Sequence, residues 1–189
     1  RRRPRRGRTR RGASGAAPAQ PSKAWVRCSG GKDISVDQQI GGCTAVIGSG
    51  RESARKLAMA FSSRATAHFV KGDYRRAIQD YSQAINLDPE NAGIFDNRCW
   101  TRATLGHLAE ALEDCNRSLL LRPRSAPTLA TRAFAHVKSG AFDSALADGD
   151  AALALDPQNP YALLSAASPG LPLAARVAMA TSPPPRPKA

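Results

Sequence analysis

Residues 72–89 read GDYRRAIQDYSQAINLDP, and the pattern returns as GHLAEALEDCNRSLLLRP at 106–123 and GAFDSALADGDAALALDP at 140–157. The spacing is 34 residues each time, and the three copies align without a gap. A Gly opens each copy (Gly72, Gly106, Gly140), then come an Ala (Ala77, Ala111, Ala145) and an Asp (Asp80, Asp114, Asp148), and a Pro closes it (Pro89, Pro123, Pro157). An Arg precedes each copy in the same register (Arg64, Arg98, Arg132). Five registers in step define an internal repeat, and a period of this size means stacked supersecondary units, each burying its apolar side against its neighbours.

Within a copy, Ile78 and Leu87, and their equivalents Leu112, Leu121, Leu146 and Leu155, fall at helical spacing. The closing Pro cannot continue that helix. Outward of the Gly, Phe61, Phe95 and Leu129 give an earlier apolar stripe, and Ala65, Cys99 and Ala133 are small where two antiparallel helices cross. The glycines suit a left-handed turn between the helices. The blocks 58–91, 92–125 and 126–159 therefore read as helix, Gly turn, helix, Pro stop. Composition agrees: 42% hydrophobic but only 5% aromatic residues, with abundant Ala, favours close-packed helices over sheet.

The period, the small residues at fixed offsets and the helix-ending Pro resemble the tetratricopeptide repeat family over residues 58–159. The resemblance implies an all-α fold, a right-handed α-solenoid of antiparallel helix pairs whose first helices line a concave groove. The chain departs from the family pattern where Cys115 and Gly149 replace the aromatic found at Tyr81, and where His68, Arg102 and His136 hold another frequent aromatic position. Locally looser packing is expected there. Residues 25–57 read as a leading capping half-repeat, with its second helix at Asp37–Ile47. Residues 160–168 read as a partial capping helix broken by Pro169 and Pro172. The ends, 1–24 and 169–189, read as a basic tail or leader remnant and a disordered Pro-rich tail.

The formal charge of +13 raises a nucleic-acid or acidic-surface partner as the alternative function. Eight Arg lie in residues 1–11, and Arg176, Arg186 and Lys188 lie near the other end; the remaining 17 basic residues face all 15 acids, a net of +2. The basic footprint belongs to the tails, so nucleic acid is not the partner expected for the repeats.

Cys28 and Cys43 flank the leading half-repeat, and in an oxidising compartment a disulfide between them would pin the leading strand to the capping helix; in a reducing one they remain thiols. Trp25–Cys28 and Ile40–Arg51 are similar to the start of short tetratricopeptide proteins exported by Gram-negative bacteria, which implies a periplasmic or secreted location over a cytoplasmic one. Cys99 and Cys115 occupy small-residue positions and read as buried, unreactive thiols. No cysteine pair has zinc-ligand spacing with a second pair, so no metal or cofactor is expected. His68 and His136 read as packing residues, and Asp80, Asp114 and Asp148 as a solvated helix face paired locally with Arg. No nucleophile motif or phosphate loop appears, and no enzyme is expected.

First-helix residues facing away from the second helix remain as a binding surface. Phe69, Trp100 and Phe134 read as an aromatic strip for an extended peptide, with Asn97, Arg132 and Lys138 as polar contacts. In family members that grip the acidic C-termini of heat-shock chaperones the groove carries a Lys, Asn and Arg clamp. Only Asn97 and Arg132 match it, and Ser62, Thr66 and Thr128 replace the others. The expected function is a protein-interaction scaffold whose partner is a peptide or protein, with self-association through the terminal repeats as a further option.

Overall fold

A computed structural model describes residues 22–158. Among them are eight helices and no strand: α1 Lys23–Cys28, α2 Val36–Gly48, α3 Ala54–Val70, α4 Tyr74–Leu87, α5 Ala92–Leu105, α6 Leu108–Leu121, α7 Ala126–Ser139 and α8 Phe142–Leu155.

The boundaries follow from local chemistry. Ser22, Ser35, Ser53, Asp73 and Ser125 each accept a hydrogen bond from the backbone N–H three residues on, which satisfies a donor that the first turn leaves open. Gly106 and Gly140 end α5 and α7 at φ 96° and 79°, a left-handed conformation that favours Gly over any residue with a Cβ. The second helices end on Asp88, Arg122 and Asp156, which leave the helical region because a Pro follows each.

The leading segment differs from the sequence expectation. Residues 23–28 form a short helix rather than a strand. The helix expected at Asp37–Ile47 is α2, which begins one residue earlier at Val36, where Ser35 and Gln38 form a reciprocal capping box. α1 lies so close on α2 that a Cβ on Gly42 would come within 2.6 Å of the Arg27 Cβ. Cys28 and Cys43 are joined there as a disulfide, with Cα atoms 4.4 Å apart.

The helices pair as α1/α2, α3/α4, α5/α6 and α7/α8, and each pair packs on the next. First helices touch first helices (α1 on α3, α3 on α5, α5 on α7), whereas no second helix packs on another second helix. The stack is therefore a solenoid that curves with α1, α3, α5 and α7 on its inner side. The core is a series of small clusters along the stack, such as Cys28, Cys43, Val46 and Ala60 at the first junction, Ala65, Ala77, Tyr81, Ala84 and Ile94 at the second, and Ala126, Leu129, Ala130 and Ala152 at the last.

Candidate functional site

The recurrent Arg and Asp meet. Arg64, Arg98 and Arg132 each grip the Asp of their own second helix through two parallel hydrogen bonds, Nε and Nη2 to the two carboxylate oxygens, at 2.6 to 2.9 Å. The remaining Nη1 donates to the preceding pair's second helix: Arg64 to Thr44, Arg98 to Ser82, Arg132 to Asn116. One guanidinium thus ties its own hairpin and the neighbouring one. Asp80, Asp114 and Asp148 are buried rather than solvated, because the paired Arg replaces their water. Arg132, expected as a groove contact, is a staple of this kind, and its bond to Asp148 raises its pKa.

A third residue faces each Asp. In the middle repeat it is Arg102, whose Nη1 lies 2.7 Å from Asp114. In the last it is His136, with Nε2 3.8 Å from Asp148. In the first it is His68, which burial pushes below the ordinary imidazole pKa against the opposing pull of Asp80. His136 is lowered for the same reason, with Asp148 opposing.

Cys99 and Cys115 are not thiols here. The close crossing of α5 and α6 brings their Cα atoms to 5.4 Å, and they form a disulfide, fully buried. Cys43 and Cys115 are both the eighth residue of a second helix, as are Tyr81 and Gly149. The first and third hairpins are therefore cross-linked at one equivalent crossing, where the second hairpin packs Tyr81 against Ala65. Looser packing at Cys115 does not follow, since the bond supplies the contact that an aromatic would.

The inner face carries the remaining candidates. Trp100 and Phe134 stack across α5 and α7 with ring centroids 4.8 Å apart. Lys138 lies over Phe134 and donates to the carbonyls of Ala103 and Thr104, so it closes the end of α5, where unpaired carbonyls and the helix dipole favour a cation. Trp100 is only 3% exposed, so it is not the open anchor that the sequence suggests. Asn97 sits half-buried one turn from Thr101, which donates to its carbonyl. Phe69 turns to Tyr74, 5.2 Å away, and to the core cluster around Tyr81, and does not extend the Trp100–Phe134 pair.

Sequence reasoning placed Ser62 and Thr66 on this face but passed over the exposed apolar residues beside them. On α3, Met59 is 53% and Val70 65% exposed, with Thr66 exposed and Ser62 half-exposed between them. Their spacing places all four on one side of the helix, a stripe legible from periodicity alone but masked by the stronger aromatic signal downstream. Thr66 also holds the Tyr81 hydroxyl at 2.9 Å, which fixes the trough floor to the core.

Among the described residues no group of three or more His, Cys, Asp or Glu is placed to hold a metal ion, and no helix is long and apolar enough to cross a membrane. The Arg-rich segment 1–11, the capping helix expected at 160–168 and the Pro-rich tail lie outside the described residues.

Residues 58–91 match the family model of the tetratricopeptide repeat. The second TPR domain of human RPAP3, solved in complex with the HSP70 peptide SGPTIEEVD, is 28% identical; the match covers 61% of this chain and 96% of that one, with a TM-score of 0.58. The Arabidopsis OM64 TPR domain is 24% identical over 60% of this chain and 93% of its own, also at 0.58. A tetratricopeptide repeat protein from Parabacteroides merdae covers 76% of this chain and 54% of its own at a TM-score of 0.63 and 19% identity. No curated protein sequence matches the chain significantly.

Proposed function

We propose that this chain, in which residues 58–91 match the tetratricopeptide repeat model and equivalent helix pairs stack on either side, is a non-enzymatic scaffold that binds an extended peptide or protein segment along its inner face. One observation carries this reading: Met59 and Val70 stand exposed on a concave, first-helix surface, whereas the strongly polar side chains nearby are consumed inside the fold. Apolar side chains with hydroxyl neighbours on a curved face suit a segment that buries alternate side chains and satisfies its backbone at Ser62 and Thr66.

The chemistry of the partner follows. The related RPAP3 domain was solved with an acidic HSP70 peptide. In this chain Arg132 is held by Asp148 and Asn116, Lys138 is held by the α5 carbonyls, and Ser62 and Thr66 stand where a clamp needs charge. An acidic C-terminus is therefore a poor match, and an apolar segment of low charge is the better one. The two cross-linked hairpins suit an oxidising compartment, periplasmic or extracellular.

Selection of the full chain against a displayed random-peptide library tests the reading. Enriched peptides should be apolar, and Met59→Asp with Val70→Asp should weaken them. Enrichment of acidic peptides, or equal binding by that double variant, would overturn it.

A further inference from the structure

Asp80 and Asp114 hold equivalent positions, 34 residues apart, but the space beside them is filled differently. In the middle repeat Arg102 lays its Nη1 between Asp114, at 2.7 Å, and the carbonyl of Glu110, at 3.2 Å. In the first repeat the residue in register is the shorter His68, and the equivalents of Asp114 and Glu110, which are Asp80 and Arg76, border a cavity of about 300 Å³ completed by Arg64, His68 and Gln79. His68 is only 8% exposed, yet it makes no hydrogen bond among the described residues. A buried polar group in a native fold has a partner, so an imidazole facing a cavity without one points to a ligand. The Gln79 carboxamide is likewise without a hydrogen bond there, and Arg76 is held only by Asp73, at 3.3 Å, in an exposed pair of the kind worth little.

Charge decides what fits. The middle repeat lines this space with two Arg against Glu110, Glu113 and Asp114, a net of −1, and a cation belongs there. The first lines it with two Arg against Asp80 alone, a net of +1, because Arg76 and Gln79 stand where the middle repeat has its two Glu. Both oxygens of Asp80 are already held by Arg64, and Arg76 would repel a second cation where Glu110 attracts one. We propose that this cavity is a binding site for a small oxyanion, a phosphate or carboxylate group, held by Arg76 and Gln79 with His68 donating an imidazole N–H. The site is separate from the trough: His68 is two residues from Thr66, about 200° round α3, and it shares its cavity with the second helix. An anion beside His68 favours the protonated ring, so occupancy rises as pH falls. The charged groups that face the ring are Arg64 on α3, Asp73 in the turn, and Arg76 and Asp80 on α4, while the acid of α2, Asp37, is taken by Lys71.

The test follows the three histidine ring signals of the full chain by NMR as phosphate, or acetate, replaces chloride at constant ionic strength. His68→Gln identifies the His68 signal. That signal should move saturably and its pKa should rise, while His107 and His136 stay as they are. Whichever anion saturates at the lower concentration names the group. Arg76→Glu with Gln79→Glu writes the middle repeat's own residues into the first at two exposed positions, and should weaken the anion by about tenfold or more with helix content unchanged. A His68 signal that moves no further than that of His136 with either anion would overturn the proposal. So would undiminished binding by the double variant.

Discussion

Asp114 is shared between two guanidiniums: Arg98 holds both of its oxygens, at 2.9 and 2.7 Å, and Arg102 reaches one of them at 2.7 Å. Its two equivalents, Asp80 and Asp148, have a His in place of the second Arg. Asp114 is the carboxylate on which most positive charge depends, and its side chain is only 4% exposed.

Asp114→Ala is therefore expected to destabilise the fold by about 3–5 kcal/mol, because it strands two partly buried guanidiniums at the centre of the stack. Asp80→Ala should cost less, since only one permanent charge is left behind. Urea denaturation of the two variants checks the order. Equal losses would contradict the shared role.

Each disulfide closes a loop of comparable length, with sequence separations of 15 and 16. In the chain-entropy account a loop of that size contributes about 3 kcal/mol. Reduction should then lower Tm by on the order of 10 °C per bridge. Both are fully buried, so a reductant should open them slowly in native conditions, and alkylation should require reductant together with denaturant. Intact mass before and after denaturing alkylation, with melting curves with and without reductant, reads both. Four thiols labelled in the purified native protein would contradict the cross-linked state.

His68 and His136 have folded-state pKa values lowered chiefly by burial from the ordinary 6.5. A group of this kind binds fewer protons folded than unfolded, so its contribution is complete above the unfolded pKa and declines as pH falls through it. Unfolding midpoints should fall from about pH 7.5 to about 5.5, a window above the ordinary range of the carboxylates. His68→Gln with His136→Gln should flatten that slope. A slope that persists in the double variant would assign it to other groups.

The stacked helix pairs were legible because Gly72, Ala77, Asp80 and Pro89 recur in one register, and each has a local physical reason to recur. The short helix at Lys23–Cys28 was not, because six residues are too few for periodicity and its stability comes from a distant partner, the close approach at Gly42 and the bond to Cys43. Cys99–Cys115 was half legible: Cys115 replaces Tyr81, whose neighbour in the core is Ala65, the equivalent of Cys99. The contact was implied by the repeat, but bond formation depends on a crossing distance that no pattern gives. The candidate site divides in the same way. Trp100 and Phe134 could be assigned to the inner face from spacing, but how open each is depends on what lies across the curve.

The last prediction separates inner from outer apolar surface. Val70 and Leu120 are exposed to similar degrees, 65% and 70%, but Val70 is on a first helix facing the trough and Leu120 is on α6, a second helix. Replacing either with Asp removes little buried contact, so each should shift stability by no more than about 0.5 kcal/mol. Their effects on binding should diverge. Val70→Asp places a carboxylate where an apolar ligand side chain must sit, with desolvation uncompensated, and should weaken a selected peptide by about tenfold or more, which is 1.4 kcal/mol. Leu120→Asp should leave that affinity unchanged. Titration of both variants, with melting curves as the folding control, decides it: equal weakening by the two would mean that the ligand does not lie along the inner face.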